Sequence, residues 1–199
     1  DPANIPYALA VRLLRAADQS IPVSATTAFL NPARVAAEQL PKEFCVPGLQ
    51  AKLYPYQARG IQWMAQAIRR HGGLILADEM GLGKTLQVIG LLLTDQPTEA
   101  SPALIVCPTS LIVNWTRELT RFAPGLSVVV HRGPQRTGTY LGLQRSRVVI
   151  TTYETMVNDI AIFSAFEWST VICDEAQALK NPDSNRRRSV VRIPRRAAI

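Results

Sequence analysis

The sequence has 199 residues, of which 47% are hydrophobic, 22 are Lys or Arg and 15 are Asp or Glu. This length suffices for one well-filled domain, and no apolar run approaches the roughly 18 residues that a membrane helix needs, so we expect a cytoplasmic protein. Three widely spaced cysteines exclude a disulfide framework and a metal knuckle, and we expect Cys107 and Cys173, each closing an apolar run, to be buried reduced thiols.

Residues 1–50 predict a helical lead-in, which we assign as a segment separate from a domain over residues 51–199. Helical apolar spacing occurs at 7–20 and again at 30–41, and prolines punctuate the stretch. Nothing in this segment indicates a function.

Five short apolar runs follow, separated by helical patterns. Continuous rather than alternating apolar character is typical of strands buried on both faces of a parallel sheet. Strands are predicted at 73–77, 103–107, 127–131, 147–152 and 170–174. Helices are predicted at 56–71, 84–94, 110–122 and 154–163. This alternation predicts a doubly wound α/β domain, with helices on both faces of the sheet.

The stretch ADEMGLGKT lies where the first predicted strand ends and a helix begins at Lys84. The order of strand, glycine-containing loop and helix indicates a phosphate-binding loop, because backbone amides converge on an anion at a helix N-terminus. Lys84 would neutralise phosphates and Thr85 would ligate Mg²⁺. An ordinary glycine-rich turn is the alternative. The candidate nucleotide-contacting residues are Asp78, Glu79, Met80, Gly81, Leu82, Gly83, Lys84 and Thr85.

An acidic pair follows the last predicted strand. Asp174 and Glu175 stand where the run STVIC emerges from the interior, and carboxylates in that position can hold Mg²⁺ and polarise an attacking water. We assign Asp174 as the Mg²⁺ ligand and Glu175 as the general base. A solvated surface pair is the alternative interpretation.

Together, DEMGLGKT and DEAQALKNP resemble the Swi/Snf family of DNA-dependent ATPases in helicase superfamily 2. Three further stretches, LYPYQARGIQWM at 53–64, LIVCPTSLIVNWTRE at 104–118 and VVITTYETM at 148–156, resemble the family's glutamine motif and its motifs Ia and Ib, in order. The resemblance covers roughly residues 50–196. It implies a RecA-like lobe that binds ATP and Mg²⁺.

The resemblance also implies roles for single residues. Gln57 would contact the adenine, and an acidic residue at Asp78 is usual in the family, so the loop is expected to bind nucleotide without a glycine there. Gln177 departs from the histidine that much of the family carries. A glutamine can still donate and accept hydrogen bonds toward the γ-phosphate.

The sequence starts without methionine and, by the resemblance, stops before a strand expected after IPRRAAI, a Gly-Thr-Pro motif and a second RecA-like lobe with an arginine finger. We therefore expect a piece of a longer protein, with negligible ATP turnover by itself. The function that fits best is ATP-dependent translocation on double-stranded DNA. A strand-separating helicase and a nucleotide-gated module, for example one that docks on RNA polymerase, are the alternatives.

Candidate DNA contacts come from the resemblance, which implies that motifs Ia and Ib follow one strand through its phosphates. Thr109, Ser110, Thr151 and Thr152 carry suitable hydroxyls, and Arg132 could add a charge. Taken singly, each hydroxyl is better explained by local capping, as Thr109 or Ser110 could cap a helix beginning near Leu111.

The basic charge lies at the end of the sequence. Residues 180–199 hold seven basic side chains against one acidic, whereas the other 179 residues hold 15 against 14. The pattern at 184–196 predicts a surface helix with Val190, Val191 and Ile193 on its apolar side. A solvated helix face is the expected reason for the arginines, and a phosphate-binding patch is the alternative.

Overall fold

The computed structural model describes residues 45–79 and 81–199. The helices expected at 7–20 and 30–41, together with Met80, lie outside the described residues. Residues 45–50 pack on the α/β body, because Val46 is buried against the helix that follows and the Gln50 amide donates to the Phe122 carbonyl at 2.8 Å. The described body thus extends N-terminal to residue 51.

A five-stranded, all-parallel sheet forms the centre of this body, with strand order β2-β3-β1-β4-β5. Four predicted strands are confirmed to within two residues at each end. The strand expected after IPRRAAI forms inside that stretch instead, because residues 195–198 pair with β4 and bury Ala197. The strands are β1 Ala103–Cys107, β2 Val128–His131, β3 Val148–Thr152, β4 Trp168–Cys173 and β5 Arg195–Ala198.

The strand predicted at 73–77 is wrong as a regular strand. Gly73 makes one parallel bridge to Ala198, the Leu74 amide donates to the Ala198 carbonyl at 3.0 Å, and Ile75 is 66% exposed. The bridge lies at the last residue of β5. Among the described residues, Ile75 and the residues after it therefore have no strand partner. The segment nevertheless follows the free edge of β5 toward the phosphate loop.

Seven helices are present in residues 45–79 and 81–199. The predicted helix at 154–163 is broken at Asp159, whose backbone leaves helical geometry and whose carboxylate bonds to Arg136 and His131. The helix predicted at 110–122 starts later, after a 3₁₀ turn at Thr109–Leu111. The helices are α1 Pro55–His71, α2 Lys84–Asp95, α3 Ile112–Phe122, α4 Tyr140–Leu143, α5 Tyr153–Asn158, α6 Ile160–Phe163 and α7 Asn185–Arg192.

Helices cover both faces of the sheet, as predicted. Along β1, Ile105 packs with α2 and α3 on one face, and the neighbouring Leu104 packs with α5, α6 and α7 on the other. Because both faces are buried, β1 has no exposed residue and reads as a continuous apolar run. Among the described helices none has the length and apolar character required to cross a membrane.

Cys107 is buried at the end of β1, and Cys173 is partly buried at the end of β4. Burial, with a smaller contribution from the nearby charge of Asp174, raises the pKa of Cys107 to about 12, and burial raises the pKa of Cys173 to about 11. Both are free thiols and neither ionises near neutral pH. The expectation of a buried thiol is confirmed for Cys107, whereas Cys173 at the end of β4 is partly exposed.

Helix α7 carries four of the six arginines near the end of the sequence, and β5 carries the other two, Arg195 and Arg196. Val190 and Ile193 are buried as predicted, but Val191 is 57% exposed, because this short helix turns only one narrow face to α5. Arg186 donates to Glu154 at 2.6 Å and Arg195 donates to the carbonyls of the chain just before it. These bonds account for two of the arginines through local structure.

Candidate nucleotide and nucleic-acid site

The candidate residues lie along one edge of the sheet. All strands are parallel, so the loops after their carboxyl ends share that edge. We name its two parts. The phosphate-loop half comprises residues 78–85 and 174–177, beside β5 and β4, and the hydroxyl half comprises Thr109, Ser110, Arg132, Thr151 and Thr152, beside β1, β3 and β2. Gly73, which bridges to β5, lies two strand spacings from β4, about 10 Å.

The phosphate loop has the backbone that anion binding requires. Gly81 and Gly83 have φ of 87° and 73°, a region that favours glycine, and Gly83 immediately precedes α2. No side chain caps α2 and its first turn holds no acidic residue, so the first-turn amides remain available to an anion. A Cβ on Gly83 would also lie 2.5 Å from Gln57 Nε2. The loop therefore fits a phosphate group.

Two buried glutamines form hydrogen bonds to this loop from the protein interior. Gln57 is 5% exposed and its Nε2 donates to the Leu82 carbonyl at 3.4 Å, while its Oε1 accepts from the Tyr54 amide at 3.0 Å. Gln87 is 1% exposed, and its Nε2 lies 3.4 Å from the same carbonyl and 3.3 Å from Asp78 Oδ2. The acidic residue in place of the usual glycine thus has a hydrogen-bond partner in α2.

The sequence interpretation missed Gln87. A signal existed, because Gln87 is the one polar side chain between Thr85 and Thr94 in the predicted helix at 84–94. A buried amide needs hydrogen-bond partners, and the loop supplies them.

Lys84 lies at the mouth of the loop. Its Nζ donates to the Asp78 carbonyl at 2.6 Å and to the Glu79 carbonyl at 3.0 Å, which keeps the ammonium group beside the α2 N-terminus. Thr85 follows in the first turn of α2 and is partly buried. The side chains of Asp78 and Glu79 are exposed. Positive charge and free amides converge at this point.

Asp174 is held by three donors. Its Oδ2 accepts from Trp115 Nε1 at 2.8 Å, its Oδ1 accepts from the Glu175 amide at 3.0 Å, and its carbonyl accepts from the Tyr153 hydroxyl at 2.8 Å. Trp115 and Tyr153 are 3% and 2% exposed. Burial raises the pKa of Tyr153 far above its ordinary value, so its hydroxyl remains a donor. The sequence interpretation missed both aromatics, which look like ordinary core residues inside their motifs.

Glu175 has a strained backbone. Its φ of 54° and ψ of 51° are left-handed, which costs a residue with a side chain about 1–3 kcal/mol. The carboxylate is exposed and accepts from the side-chain amide of Gln177, also exposed. The turn after β4 thus projects Glu175 and Gln177 outward together, while Asp174 is fixed beneath them.

The hydroxyl half divides into buried and exposed groups. Thr151 is fully buried and donates to the His131 carbonyl at 2.9 Å, and Thr152 caps α5 by accepting from the Thr155 amide at 3.1 Å. Local capping is therefore confirmed for Thr152. It is wrong for Thr109 and Ser110, because neither the 3₁₀ turn nor α3 has a side-chain cap and both residues are exposed.

Asp159 anchors the loop that carries Arg132. Arg136 donates two hydrogen bonds to the Asp159 carboxylate, from Nε to Oδ2 at 2.5 Å and from Nη2 to Oδ1 at 3.1 Å. His131 Nε2 lies 2.8 Å from Oδ2. The Arg136 guanidinium, and secondarily His131, hold the pKa of Asp159 below its ordinary value despite partial burial. Arg132 itself is exposed. The ion pair thus fixes the loop and leaves the neighbouring charge free.

The donor set suits Mg²⁺ rather than a protein-caged metal. Within residues 45–79 and 81–199 no three His, Cys, Asp or Glu side chains converge as metal ligands. Mg²⁺ commonly uses one or two protein ligands and takes the rest from phosphates and water. The fixed carboxylate of Asp174 and the hydroxyl of Thr85 fit that role.

Comparison with known sequences decides the family. A profile described as the SNF2-related domain matches residues 56–197, well over half of the chain. The chain belongs to the SNF2-related family. The resemblance to Swi/Snf ATPases of helicase superfamily 2, and to their N-terminal motor lobe, is thereby confirmed.

Curated relatives agree with this assignment. The putative ATP-dependent helicase/translocase YwqA of Bacillus subtilis is 37% identical over 163 residues, which are 79% of this chain and 18% of that protein. The chromodomain-helicase-DNA-binding protein 1-like of Mus musculus is 41% identical over 140 residues, 67% of this chain and 16% of that protein. The SNF2-related chain thus spans less than a fifth of each.

A solved structure supports the fold. The Sulfolobus solfataricus SWI2/SNF2 ATPase core in complex with dsDNA is 32% identical, with a TM-score of 0.69 over 79% of this chain and 33% of that one. The predicted RecA-like architecture of this SNF2-related lobe is therefore confirmed.

Proposed function

We propose that this lobe binds Mg²⁺·ATP and is part of a motor that translocates on double-stranded DNA. The observation that carries the proposal is the sharing of one sheet edge by an uncapped glycine loop at the α2 N-terminus and Asp174, which accepts two hydrogen bonds at its carboxylate and one at its backbone carbonyl. Membership of the SNF2-related family supports the proposal, and so does the similarity to a solved SWI2/SNF2 ATPase core in complex with dsDNA.

ATP binding falls to the phosphate loop. Amides of the loop and of the start of α2 would surround the phosphates, and Lys84 would exchange its two carbonyl partners for phosphate oxygens. Thr85 and Asp174 would hold the metal, which when bound neutralises phosphate charge. Gln57 lies behind the loop and would contact the adenine at its edge.

Hydrolysis falls to the turn after β4. Glu175 would accept a proton from the attacking water, and Gln177, which donates to Glu175, would orient that carboxylate or reach toward the γ-phosphate. The exposed position of both side chains suits a cleft that a second RecA-like lobe completes. By itself this chain is expected to show negligible turnover.

DNA contact falls to the exposed members of the hydroxyl half. Thr109 and Ser110 present free hydroxyls and Arg132 presents a charge, which is the chemistry for phosphate contacts that do not depend on base sequence. Thr151 and Thr152 would support this surface from inside through their internal bonds. What the motor displaces would be a DNA-bound protein, with RNA polymerase as one candidate.

The test uses the full-length protein. ATP hydrolysis is measured with and without double-stranded DNA, and Lys84→Ala is the control for nucleotide-dependent turnover. Stimulation by DNA that disappears in Lys84→Ala supports the proposal, whereas hydrolysis indifferent to DNA contradicts it. A strand-displacement assay on the same protein would support a helicase instead if it separated strands.

A further inference from the structure

We propose that Trp115 and Tyr153 are positioning residues that couple the hydroxyl half to the candidate metal ligand Asp174. The inference rests on the proposed function, since it assigns these residues a part in DNA-stimulated hydrolysis. Each aromatic belongs to an element that begins at the hydroxyl half, and each donates one hydrogen bond to the same residue.

Trp115 acts on the carboxylate. It lies in the first turns of α3, six residues after Thr109, and the 3₁₀ turn at Thr109–Leu111 leads directly into that helix. An indole has a single N–H, and here it is given to Asp174 Oδ2 at 2.8 Å in a buried environment. A shift of the turn therefore moves the donor that sets the orientation of this carboxylate.

Tyr153 acts on the backbone of the same residue. It is the first residue of α5, next to the cap Thr152, and its hydroxyl donates to the Asp174 carbonyl at 2.8 Å. Glu175, the residue after Asp174, has left-handed backbone angles. Strain of this kind persists only where neighbours over-determine it, and the Tyr153 bond is one such constraint.

The hydrogen bonds from Trp115 and Tyr153 both end on Asp174, where the phosphate-loop half adjoins the hydroxyl half. Strand β4, which ends before Asp174, pairs with β1, and β1 pairs with β3. Motions of the turn after β1 and of the helix after β3 thus reach one carboxylate through one side chain each. We expect DNA held by this surface to favour the arrangement in which Asp174 is aligned.

Trp168 provides a matched control. It is also buried, and its Nε1 also donates over 2.8 Å, but to the Phe163 carbonyl away from the nucleotide side. Replacement of either tryptophan by phenylalanine removes one buried N–H bond and some ring volume. Only Trp115→Phe removes a bond to Asp174.

The experiment uses the full-length protein with Trp115→Phe, Tyr153→Phe and Trp168→Phe. We measure the ATPase rate with and without DNA, the Mg²⁺ concentration for half-maximal rate, DNA affinity and melting temperature. For Trp115→Phe we expect the DNA-stimulated kcat to fall about tenfold, equivalent to about 1.4 kcal/mol, and the Mg²⁺ requirement to rise. Tyr153→Phe should lower kcat in the same direction, and DNA affinity should stay unchanged in both.

Trp168→Phe should lower the melting temperature to a similar extent while it keeps the stimulated kcat and the Mg²⁺ requirement. If Trp115→Phe and Trp168→Phe lost activity equally, or if DNA stimulation survived both Trp115→Phe and Tyr153→Phe, the coupling would be refuted. Absence of DNA stimulation in the unmodified protein would instead defeat the proposed function itself, so the two failures are distinguishable.

Discussion

The two halves of the sheet edge are built differently. In the phosphate-loop half, the backbone supplies most of the binding groups, through two glycines at positive φ, an uncapped helix start and a strained Glu175. In the hydroxyl half the backbone is regular, and the side chains divide into two that are buried and three that are exposed. A ligand at the phosphate-loop half would be bound by converging backbone amides, whereas a ligand at the hydroxyl half would be bound by accessible side-chain donors.

The difference shows what a residue type can and cannot indicate. Thr109 and Thr151 each follow or end a strand of the same sheet, yet one is exposed and the other is 0% exposed. The neighbouring residue decides whether the hydroxyl is available, because Thr151 Oγ1 donates to the His131 carbonyl at 2.9 Å. A buried hydroxyl is committed to its partner, since leaving that partner unpaired costs free energy.

The largest expected effect is the loss of the general base. In the full-length protein, Glu175→Gln should lower DNA-stimulated kcat by about 10²–10⁴-fold, because a side chain that accepts the proton of water contributes that much. Nucleotide binding should persist, since the backbone turn and Asp174 are retained. Glu167→Gln, on an exposed residue before β4, is the matched control and should behave like the unmodified protein. Equal rates for both variants would remove Glu175 from the mechanism.

Gly83→Ala tests the backbone character of the phosphate-loop half. A Cβ there meets Gln57 Nε2 at 2.5 Å, so either the Gln57 amide or the loop must shift, and the φ of 73° strains an alanine by about 1–2 kcal/mol. We expect ATP to bind at least about tenfold more weakly in a fluorescent-nucleotide titration. Gly138→Ala has open space around its Cβ and serves as control. Unchanged affinity in Gly83→Ala would mean that this loop does not hold the phosphates.

Much of the fold could be predicted from the sequence, because strands buried on both faces read as continuous apolar runs. Four strands and the beginnings of α1 and α2 were located to within two residues. The segment 73–77 was mispredicted since an apolar run indicates burial, while a regular strand also needs a paired backbone partner. The break at Asp159 depends on Arg136 and His131, which are distant in sequence and whose proximity no local pattern encodes.

The candidate site was predictable in part, for a related reason. Lys84 and Thr85 follow a glycine-containing loop at a helix start and Asp174 follows the end of β4, so the local pattern indicates all three. Gln87 and Trp115 are distinguished only by hydrogen-bond partners that lie 9 and 59 residues away in the sequence, and their residue types also occur in ordinary cores. Only the assembled sheet edge shows that their hydrogen bonds end on Asp78 and Asp174.

Asp159→Asn tests how the hydroxyl half is held. Loss of charge-assisted bonds from Arg136 should lower the free energy of unfolding of the 199-residue chain by about 1.5–3 kcal/mol near neutral pH. The pKa of Asp159 in the folded chain lies below its ordinary value of 3.8, so this stabilisation is present above that pH and is lost as the pH falls through the folded pKa.

Urea denaturation at neutral pH and near pH 3 measures this difference. The gap in unfolding free energy between the unmodified chain and the Asp159→Asn variant should narrow at the lower pH. Asp183→Asn is the control, because Asp183 is 85% exposed and lies 3.7 Å from Arg188, a geometry that contributes little. A gap that stayed constant with pH would show that the carboxylate charge is not what holds the loop.

The smallest expected effect concerns the exposed hydroxyls. Thr109→Ala and Ser110→Ala, made separately, should each weaken DNA binding by the full-length protein about two- to twelvefold, since one neutral hydrogen bond contributes roughly 0.5–1.5 kcal/mol. Because no charge is removed, the slope of log affinity against log salt should stay the same. Arg132→Ala should instead reduce that slope by about 0.9, the value for one lost phosphate contact.

Thr120→Ala, on an exposed face of α3 away from the sheet edge, should change neither affinity nor slope. Affinity and salt slope together distinguish the hydroxyl contacts from the Arg132 contact. A guanidinium that binds a DNA phosphate releases a counterion, whereas a hydroxyl does not. If both hydroxyl variants bound DNA normally while Arg132→Ala reduced the slope, contact would rest on charge alone. The turn before α3 would then not touch DNA, and Trp115 would have no DNA-facing element through which to act on Asp174.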